Sequence, residues 1–209
     1  MDHTVGRVGA GVTGAAVLCF TVSMLFGFFA DTLFYSCLSS MFIALGYVLF
    51  VGALAAANPQ RRAAGLAAIA FAAVYAAIIL LVYFAEVTTV RMNAALSAEA
   101  LSLISYGVAG SLFFNYDLLG YGLMALSTFF AGWALQPKDG GDRALRALLM
   151  IHGVFFLSGL IVPMLPVFTE GAGGTDLLGT LLLEFWCAYF LPVCILGYRY
   201  FAKAAREAA

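Results

Sequence analysis

The chain has 209 residues, of which 64% are apolar and 10% are charged. An ordinary soluble domain is about 45–50% apolar and about 25% charged, and a domain of this size still exposes much of its surface to water. The composition therefore excludes a soluble domain, a disordered chain and a small secreted module held together by disulfides. Ten Lys and Arg against eleven Asp and Glu give no basic excess of the kind that nucleic-acid binding requires.

Long apolar segments recur along the whole chain. A helix needs about 20 mostly apolar residues to cross a bilayer, and polar or glycine-rich turns separate the segments that meet this requirement. The predicted spans are residues 8–30, 33–57, 63–85, 118–135, 145–165 and 177–198. We therefore expect a single all-α domain: an integral membrane bundle of six transmembrane helices whose outer surface contacts the lipid bilayer.

The positions of Lys and Arg predict how the bundle is oriented, because cytoplasmic loops carry an excess of both. With six spans, nine of the ten basic residues fall on one side together with both termini, and Arg91 alone falls on the other side. The pattern predicts a cell-membrane protein with both termini in the cytoplasm, and the side of Arg91 is then the outer side.

Residues 97–114 hold an apolar run directly before the fourth predicted span. As a seventh span, this run would move the later basic loops to the outer side, against the charge pattern. As an extension of the fourth span, it would give a helix of about 58 Å, nearly twice the thickness of the hydrocarbon core. We therefore expect a short outer helix over 97–114, either interfacial or re-entrant, that turns at Asn115, Tyr116 and Asp117.

The third span carries a row of small residues, Ala64, Ala68, Ala72 and Ala76. Small side chains at this spacing let helix backbones approach closely in lipid. The row is predicted to pack in the centre of the bundle. A contact with a second copy of the chain or with a partner membrane protein is the alternative.

Glu184 is the strongest candidate for a functional residue, because ionisable side chains inside the hydrocarbon are costly and indicate a site by default. It lies about eight residues inside the last span, roughly 12 Å from the outer end by helical rise. Thr180 lies one turn earlier on the same face. We expect Glu184 to line a polar site, and a carboxyl that is hydrogen-bonded for packing alone is the alternative.

A second group of candidates lies at the outer ends of the spans. Asp117 begins the predicted fourth span, where a carboxylate would cap free backbone N–H groups. With Asn115 and Tyr116 it also gathers hydrogen-bonding groups at the outer end of the bundle, so a capping role and a binding role are both open. Glu86 and Arg91 lie nearby in sequence; each is expected to be solvated or paired, and both complete the candidate binding set.

His152 lies about seven residues inside the fifth span. One intramembrane histidine cannot form a bis-histidine haem site or a three-histidine zinc site. A hydrogen-bonded packing residue is expected, and a proton relay is the alternative. The sequence has no nucleotide-binding, zinc-protease or serine-hydrolase motif, and neither a cofactor nor a metal is predicted.

Three functional hypotheses are compatible with these features. The first is a small-solute or proton-linked transporter or binding protein with an outward-facing polar cavity. The second is a structural or accessory membrane subunit whose polar groups only fix helix register. The third is an intramembrane enzyme acting on lipid, which is the weakest because no second catalytic group is placed at the depth of Glu184.

Overall fold

The computed structural model describes residues 2–27, 29–92, 95–165 and 175–207. Within these ranges the chain is helical with no β-strand, so the predicted all-α class is confirmed. In chain order the α-helices are α1 (Asp2–Phe26), α2 (Leu33–Ala57), α3 (Arg62–Ala85), α4 (Ala98–Ile104), α5 (Leu112–Ala134), α6 (Gly140–His152), α7 (Phe155–Ile161) and α8 (Thr175–Glu207). A 3₁₀ turn (Pro59–Arg61) precedes α3, and a π-helical turn (Glu86–Val90) follows it.

Five helical stretches of the described residues are long and apolar enough to cross a membrane, so the chain is a membrane protein. They are His3–Phe26, Leu33–Ala57, Pro59–Val90, Gly140–Met164 and Gly179–Arg206. Helix α5 is less apolar because Asn115 and Asp117 lie in it. Its 23 residues give a length of roughly 34 Å, which is sufficient to cross the hydrocarbon core. A sixth span formed by α5 stays a prediction.

The segment before α5 differs from the prediction of one helix over 97–114. Helix α4 ends at Ile104, and the chain turns before α5 begins at Leu112. Within this turn Gly110 has a φ of 83°, a left-handed conformation that glycine adopts without steric cost and that interrupts a right-handed helix. The predicted turn at residues 115–117 is wrong, because these residues lie inside α5.

The fifth predicted span, 145–165, is divided. Helices α6 and α7 are separated at Gly153 and Val154, and a 3₁₀ turn (Val162–Met164) follows α7. A Cβ at Gly153 would lie 2.8 Å from the Cβ of Phe129, so only glycine permits this close approach to α5. The first and last predicted spans are also shifted, since α1 ends at Phe26 and α8 continues to Glu207.

Both ends of the chain lie at the same end of the bundle. The Arg7 Nη2 atom donates a hydrogen bond of 2.9 Å to the Tyr198 hydroxyl, which joins α1 to the last turns of α8. The Lys203 Nζ atom lies 2.6 Å from the Asp139 Oδ2 atom, at the start of α6. We call this the basic end and the opposite one the outer end. Which side of the membrane each end faces stays a prediction.

The alanine row of α3 is buried inside the bundle. Ala68, Ala72 and Ala76 are at most 7% exposed, and the Ser127 Oγ atom of α5 donates a hydrogen bond of 2.7 Å to the Ala68 carbonyl. Small side chains therefore permit close contact within one chain, as the central-packing interpretation requires. These three alanines leave no free surface for another molecule, whereas Ala64 at the start of the row is half-buried, and a contact with a second copy or a partner protein through the row stays a prediction.

Candidate functional site

Asp117 is a buried carboxyl on the second turn of α5 and is 4% exposed. The predicted capping role is wrong, because Ser111 is the N-cap and its Oγ atom accepts a hydrogen bond from the Phe114 N–H at 3.1 Å. The Tyr83 hydroxyl lies within hydrogen-bonding range of the Asp117 carboxyl, but the Oδ1 atom makes no hydrogen bond of good geometry, and the carboxyl forms no ion pair among the described residues. Since an unpaired buried carboxyl is costly, its presence requires an explanation other than helix capping.

Polar side chains from α2, α3, α5 and the turn after α4 surround this carboxyl. The groups within electrostatic range of it are the thiol of Cys37 and the hydroxyls of Tyr75, Tyr83, Tyr106 and Tyr121. The rings pack edge to face in two pairs, with centroids 5.0 Å apart for Tyr83 and Tyr106 and 5.5 Å apart for Tyr75 and Tyr121. The hydroxyl of Ser40 lies beside Tyr121. We call these seven residues the Asp117 cluster.

Four buried oxygen atoms of the Asp117 cluster form no hydrogen bond of good geometry in the structure, although Tyr83 lies within hydrogen-bonding range of Asp117, and Ser40 and Tyr75 lie within range of Tyr121. The four atoms are Ser40 Oγ, Tyr75 OH, Tyr83 OH and Asp117 Oδ1, and they make up half of the eight such side-chain atoms among the described residues. Native proteins leave few buried polar atoms unpaired, and each case needs a cause such as an ordered water or a ligand. Four of them in one cluster therefore indicate that the protein satisfies these groups only weakly, so that water or a small polar molecule can compete for their hydrogen bonds.

A short segment, Ser105–Ser111, closes the outer end of the bundle next to the cluster, and we call it the cap. Buried Glu86 holds it: one carboxylate oxygen accepts a hydrogen bond from Ser105 Oγ at 3.0 Å, and the other accepts from the Tyr106 N–H at 2.9 Å. Ser111 Oγ in turn donates to the Ser105 carbonyl at 2.6 Å. The expectation that Glu86 is solvated is wrong, because its carboxylate binds the cap instead.

A cavity of about 340 Å³ lies at the outer end beside Glu86 and Arg91. The guanidinium of Arg91 lies over the ring of Phe34, 4.4 Å from its centroid, and Asp31 lines the same cavity. Cys37 also lines it and belongs to the Asp117 cluster. This side chain therefore lies at the boundary between the outer cavity and the buried carboxyl.

A second cavity of about 540 Å³ lies between α1, α2, α8 and the cap, and Thr180 and Tyr106 line it. Glu184 lines neither of these two cavities. Its side chain is half-buried, its Oε1 atom lacks a hydrogen-bond partner, and it interacts with Cys187 on the same helix. The structure thus brings Thr180 to the second cavity and leaves Glu184 apart from the Asp117 cluster.

Asn115 and Tyr116 also lie outside the Asp117 cluster. The Asn115 Nδ2 atom donates a hydrogen bond of 3.2 Å to the Gly110 carbonyl, which steadies the cap. Tyr116 is 45% exposed on the outer surface of α5. Of the three consecutive polar residues, only Asp117 points into the bundle.

His152 is fully buried at the end of α6, and both ring nitrogens have partners. The Trp186 Nε1–H donates to His152 Nε2 at 2.9 Å, so the proton of the neutral ring is on Nδ1, which lies 2.8 Å from Thr128 Oγ1. Thr128 in turn donates to the Ala125 carbonyl at 2.7 Å. Because a protonated ring would lose the bond from Trp186, this arrangement favours a packing role over a proton relay.

The tyrosines of the Asp117 cluster were missed from the sequence, although a signal for them exists. Tyr75 and Tyr83 are eight residues apart and therefore share one face of α3, and Asp117 and Tyr121 are four apart and share one face of α5. Two helices that each align tyrosine hydroxyls on one face, with an intramembrane carboxyl on one of them, indicate a polar site more strongly than a single acid does. Cys37 and Ser40 had no such signal, because small polar residues are common within spans.

No known family model, curated protein or solved structure matches this chain. Its function is therefore inferred from the chemistry of its own residues, since a helical bundle by itself implies no function.

Proposed function

We propose that this membrane protein is a small-solute or proton-linked transporter or binding protein whose binding site is the Asp117 cluster, reached from the outer end. The buried Asp117 carboxyl, surrounded by tyrosine hydroxyls and a thiol with no cation beside it among the described residues, is the observation that supports this function most directly. A site that binds water, protons or a small polar molecule needs buried groups whose hydrogen bonds are not already used by the protein.

The energetic argument favours a binding site over a purely structural role. A carboxyl buried without a cation beside it is costly even where a hydroxyl lies next to it, so Asp117 and its weakly bonded neighbours lower the free energy of unfolding. Ordered water or a bound solute removes this cost by completing the hydrogen bonds. A bundle built only for stability would be better served by apolar residues at these positions.

The charges near the site favour a proton or a cationic or neutral solute over an anion. The acids Asp31, Glu86 and Asp117 lie at or near the outer end, and Arg91 is the nearby cation in the outer cavity. A carboxyl in a low-dielectric site is neutralised by taking up a proton or a cation. Asp117 is therefore the group that we expect to exchange a proton during binding or transport.

Access is proposed to run from the outer cavity past Cys37, or past the cap when it opens. Glu86 binds the cap through two hydrogen bonds, so the same carboxylate contacts both the cavity and the segment that covers the cluster. A π-helical turn, such as the one that begins at Glu86, is frequently found at functional sites.

The test is proton flux in liposomes that contain the purified protein and an internal pH-sensitive dye, driven by a potassium diffusion potential. We expect the wild-type protein to carry flux and Asp117→Asn to reduce it at least about tenfold, the change produced by roughly 1.4 kcal/mol. Glu99→Gln removes an exposed acid of α4 and is the matched control, with unchanged flux. Equal flux in Asp117→Asn and wild type would contradict the assignment of Asp117. A wild-type protein without flux would remove the proton-linked function and favour the accessory-subunit hypothesis.

A further inference from the structure

We propose that a groove between the start of α3 and the end of α5, at the basic end, binds an anionic phospholipid, with the headgroup at Arg61 and Arg62 and an acyl chain along the aromatic residues below. We call it the basic-end groove. It lies at the end of α5 opposite to Asp117 and shares no residue with the Asp117 cluster, so it does not depend on the proposed function.

The basic-end groove is a cavity of about 390 Å³ on the outside of the bundle. Its lining consists of Gln60, Arg61, Arg62, Ala63, Ala64, Phe130 and Trp133. The two alanines are the reason that space exists here, because a larger side chain at either position would fill it. The lining is charged at one end and apolar over the rest, which is the distribution of a lipid headgroup and its chain.

One wall of the groove is formed by parallel aromatic rings. The Phe130 and Trp133 rings are stacked with centroids 6.2 Å apart and an interplanar angle of 5°, and Phe71 stacks on Phe130 at 5.8 Å and 16°. Trp133 is 46% exposed and lies near the end of its helix, where tryptophan prefers the interface between headgroups and hydrocarbon. The row of rings therefore offers an apolar surface that runs from the interface towards the membrane centre.

The two arginines at the top of the groove have no acidic partner among the described residues. Two other cations at the same end are engaged, because Arg7 donates to Tyr198 and Lys203 pairs with Asp139. A guanidinium matches the oxygens of a phosphate group in shape and charge, and basic grooves between transmembrane helices on the cytoplasmic side bind anionic headgroups. Charge complementarity therefore selects an anionic lipid over a neutral one.

Two other occupants fit the groove less well. A free phosphate would pair with the arginines and leave the rings and alanines uncovered. A neutral phospholipid would cover the apolar wall but bring no net charge to the two guanidinium groups. Only an anionic phospholipid satisfies both parts of the groove.

The experiment is native mass spectrometry of the purified protein in detergent, with added phosphatidylglycerol, phosphatidylcholine or inorganic phosphate at equal concentrations. We expect the wild type to retain phosphatidylglycerol at least about fivefold more than phosphatidylcholine. The double variant Arg61→Gln/Arg62→Gln should lose this preference. Arg143→Gln/Arg146→Gln removes two charges at the same end of the bundle and should keep it.

A further variant tests the contribution of the lipid acyl chain separately from that of the headgroup. Ala64→Leu fills the groove without changing charge, and we expect it to lose phosphatidylglycerol as the double arginine variant does. Displacement of the lipid by inorganic phosphate at equal concentration would instead indicate a free-anion site and overturn the proposal. Equal loss in Arg143→Gln/Arg146→Gln would show non-specific attraction, and a protein dimer that excludes the lipid would show that a second copy covers the groove; either result overturns it.

Discussion

Asp117 and His152 are two polar residues buried to the same degree in one bundle, yet their surroundings are opposite. His152 is 0% exposed, and both of its ring nitrogens have hydrogen-bond partners. Asp117 is 4% exposed, and its Oδ1 atom forms no hydrogen bond of good geometry, although the Tyr83 hydroxyl lies within range of the carboxyl. Burial alone therefore does not distinguish a structural polar residue from a functional one.

The difference lies in which molecule completes the hydrogen bonds. Around His152 the protein supplies all of them, and a closed network of this kind rigidifies a core and fixes how its helices pack. Around Asp117 the hydrogen bonds that the protein supplies are of poorer geometry and no cation balances the carboxyl, which lowers stability and is expected at sites that trade stability for function. Substitutions at the two residues should thus have opposite effects on stability, and this contrast can be tested directly.

The largest effect is expected at His152. His152→Leu keeps the volume of the side chain but strands the Trp186 indole N–H and removes the bond to Thr128, so the free energy of unfolding should fall by about 2–4 kcal/mol. The measurement is unfolding in mixed detergent micelles. The companion variant Trp186→Phe removes the donor instead and should cost less, because an acceptor nitrogen is then the only group left unpaired. A His152→Leu protein as stable as wild type would mean that the network contributes nothing.

The next effect has the opposite sign. Asp117→Val replaces the unpaired carboxyl with an apolar side chain, so we expect the free energy of unfolding to stay unchanged or to rise by about 1–3 kcal/mol. Asp117→Asn keeps the shape of the side chain and its polar group, so its free energy of unfolding should rise less than that of Asp117→Val. The same unfolding assay applies. If Asp117→Val destabilised the protein as much as His152→Leu, Asp117 would be a packing residue and the contrast would disappear.

A third prediction concerns the cap over the Asp117 cluster. Glu86→Leu strands the Ser105 hydroxyl and the Tyr106 N–H, so the cap should open more often and Cys37 should become more accessible. In a background that lacks Cys19, Cys187 and Cys194, a thiol reagent should modify Cys37 about tenfold faster, which corresponds to roughly 1.4 kcal/mol of weakened closure.

The matched control for the cap is Glu99→Leu, which changes an exposed acid of α4 that does not bind the cap. Its rate of Cys37 modification should equal that of the parent protein. Equal rates in Glu86→Leu and Glu99→Leu would mean that the two hydrogen bonds of Glu86 do not hold the cap closed over the cluster.

The bounds of the longest helices were predicted well from the sequence, but the side chains that each helix contacts were predicted poorly. The span 33–57 coincides with α2 and the span 63–85 nearly coincides with α3, because a long apolar run without proline or polar breaks permits only one structure in lipid. The start of α5 was wrong by six residues, since the break depends on the left-handed Gly110 and on the Ser111 cap. Such local conformations leave no periodic pattern in the sequence.

The candidate site was predicted in part. Asp117 and Glu86 were identified as candidates because acids near membrane spans are rare. Their roles were not predictable, because these depend on which helices lie next to one another: α3 packs on α5, which brings Tyr75 to Tyr121, and the cap brings Tyr106 to Glu86. Glu184, ranked first from its depth, lies beside Cys187 and outside this arrangement.

The smallest effect on stability is expected at the basic end. There the carboxylate of Asp139, like the ring of His152, has partners supplied by the protein. The Lys203 ammonium beside Asp139 lowers the pKa of that carboxyl to about 2. The Asp139 carboxylate also accepts a hydrogen bond from the Asp142 N–H, which lowers its pKa in the same way. The pKa of an unfolded aspartate is about 3.9, so the ionised form stabilises the fold above pH 4, and the contribution is lost as pH falls towards 2.

We therefore expect Asp139→Asn to lower the Tm slightly at pH 5 and above, because exposed ion pairs are screened and weak, with the difference from wild type shrinking between pH 4 and pH 2. Lys203→Met should retain only the part of this pH dependence that arises from the Asp142 N–H. A Tm difference between wild type and Asp139→Asn that stays constant down to pH 2 would show that the carboxylate charge at the basic end is not stabilised by its partners.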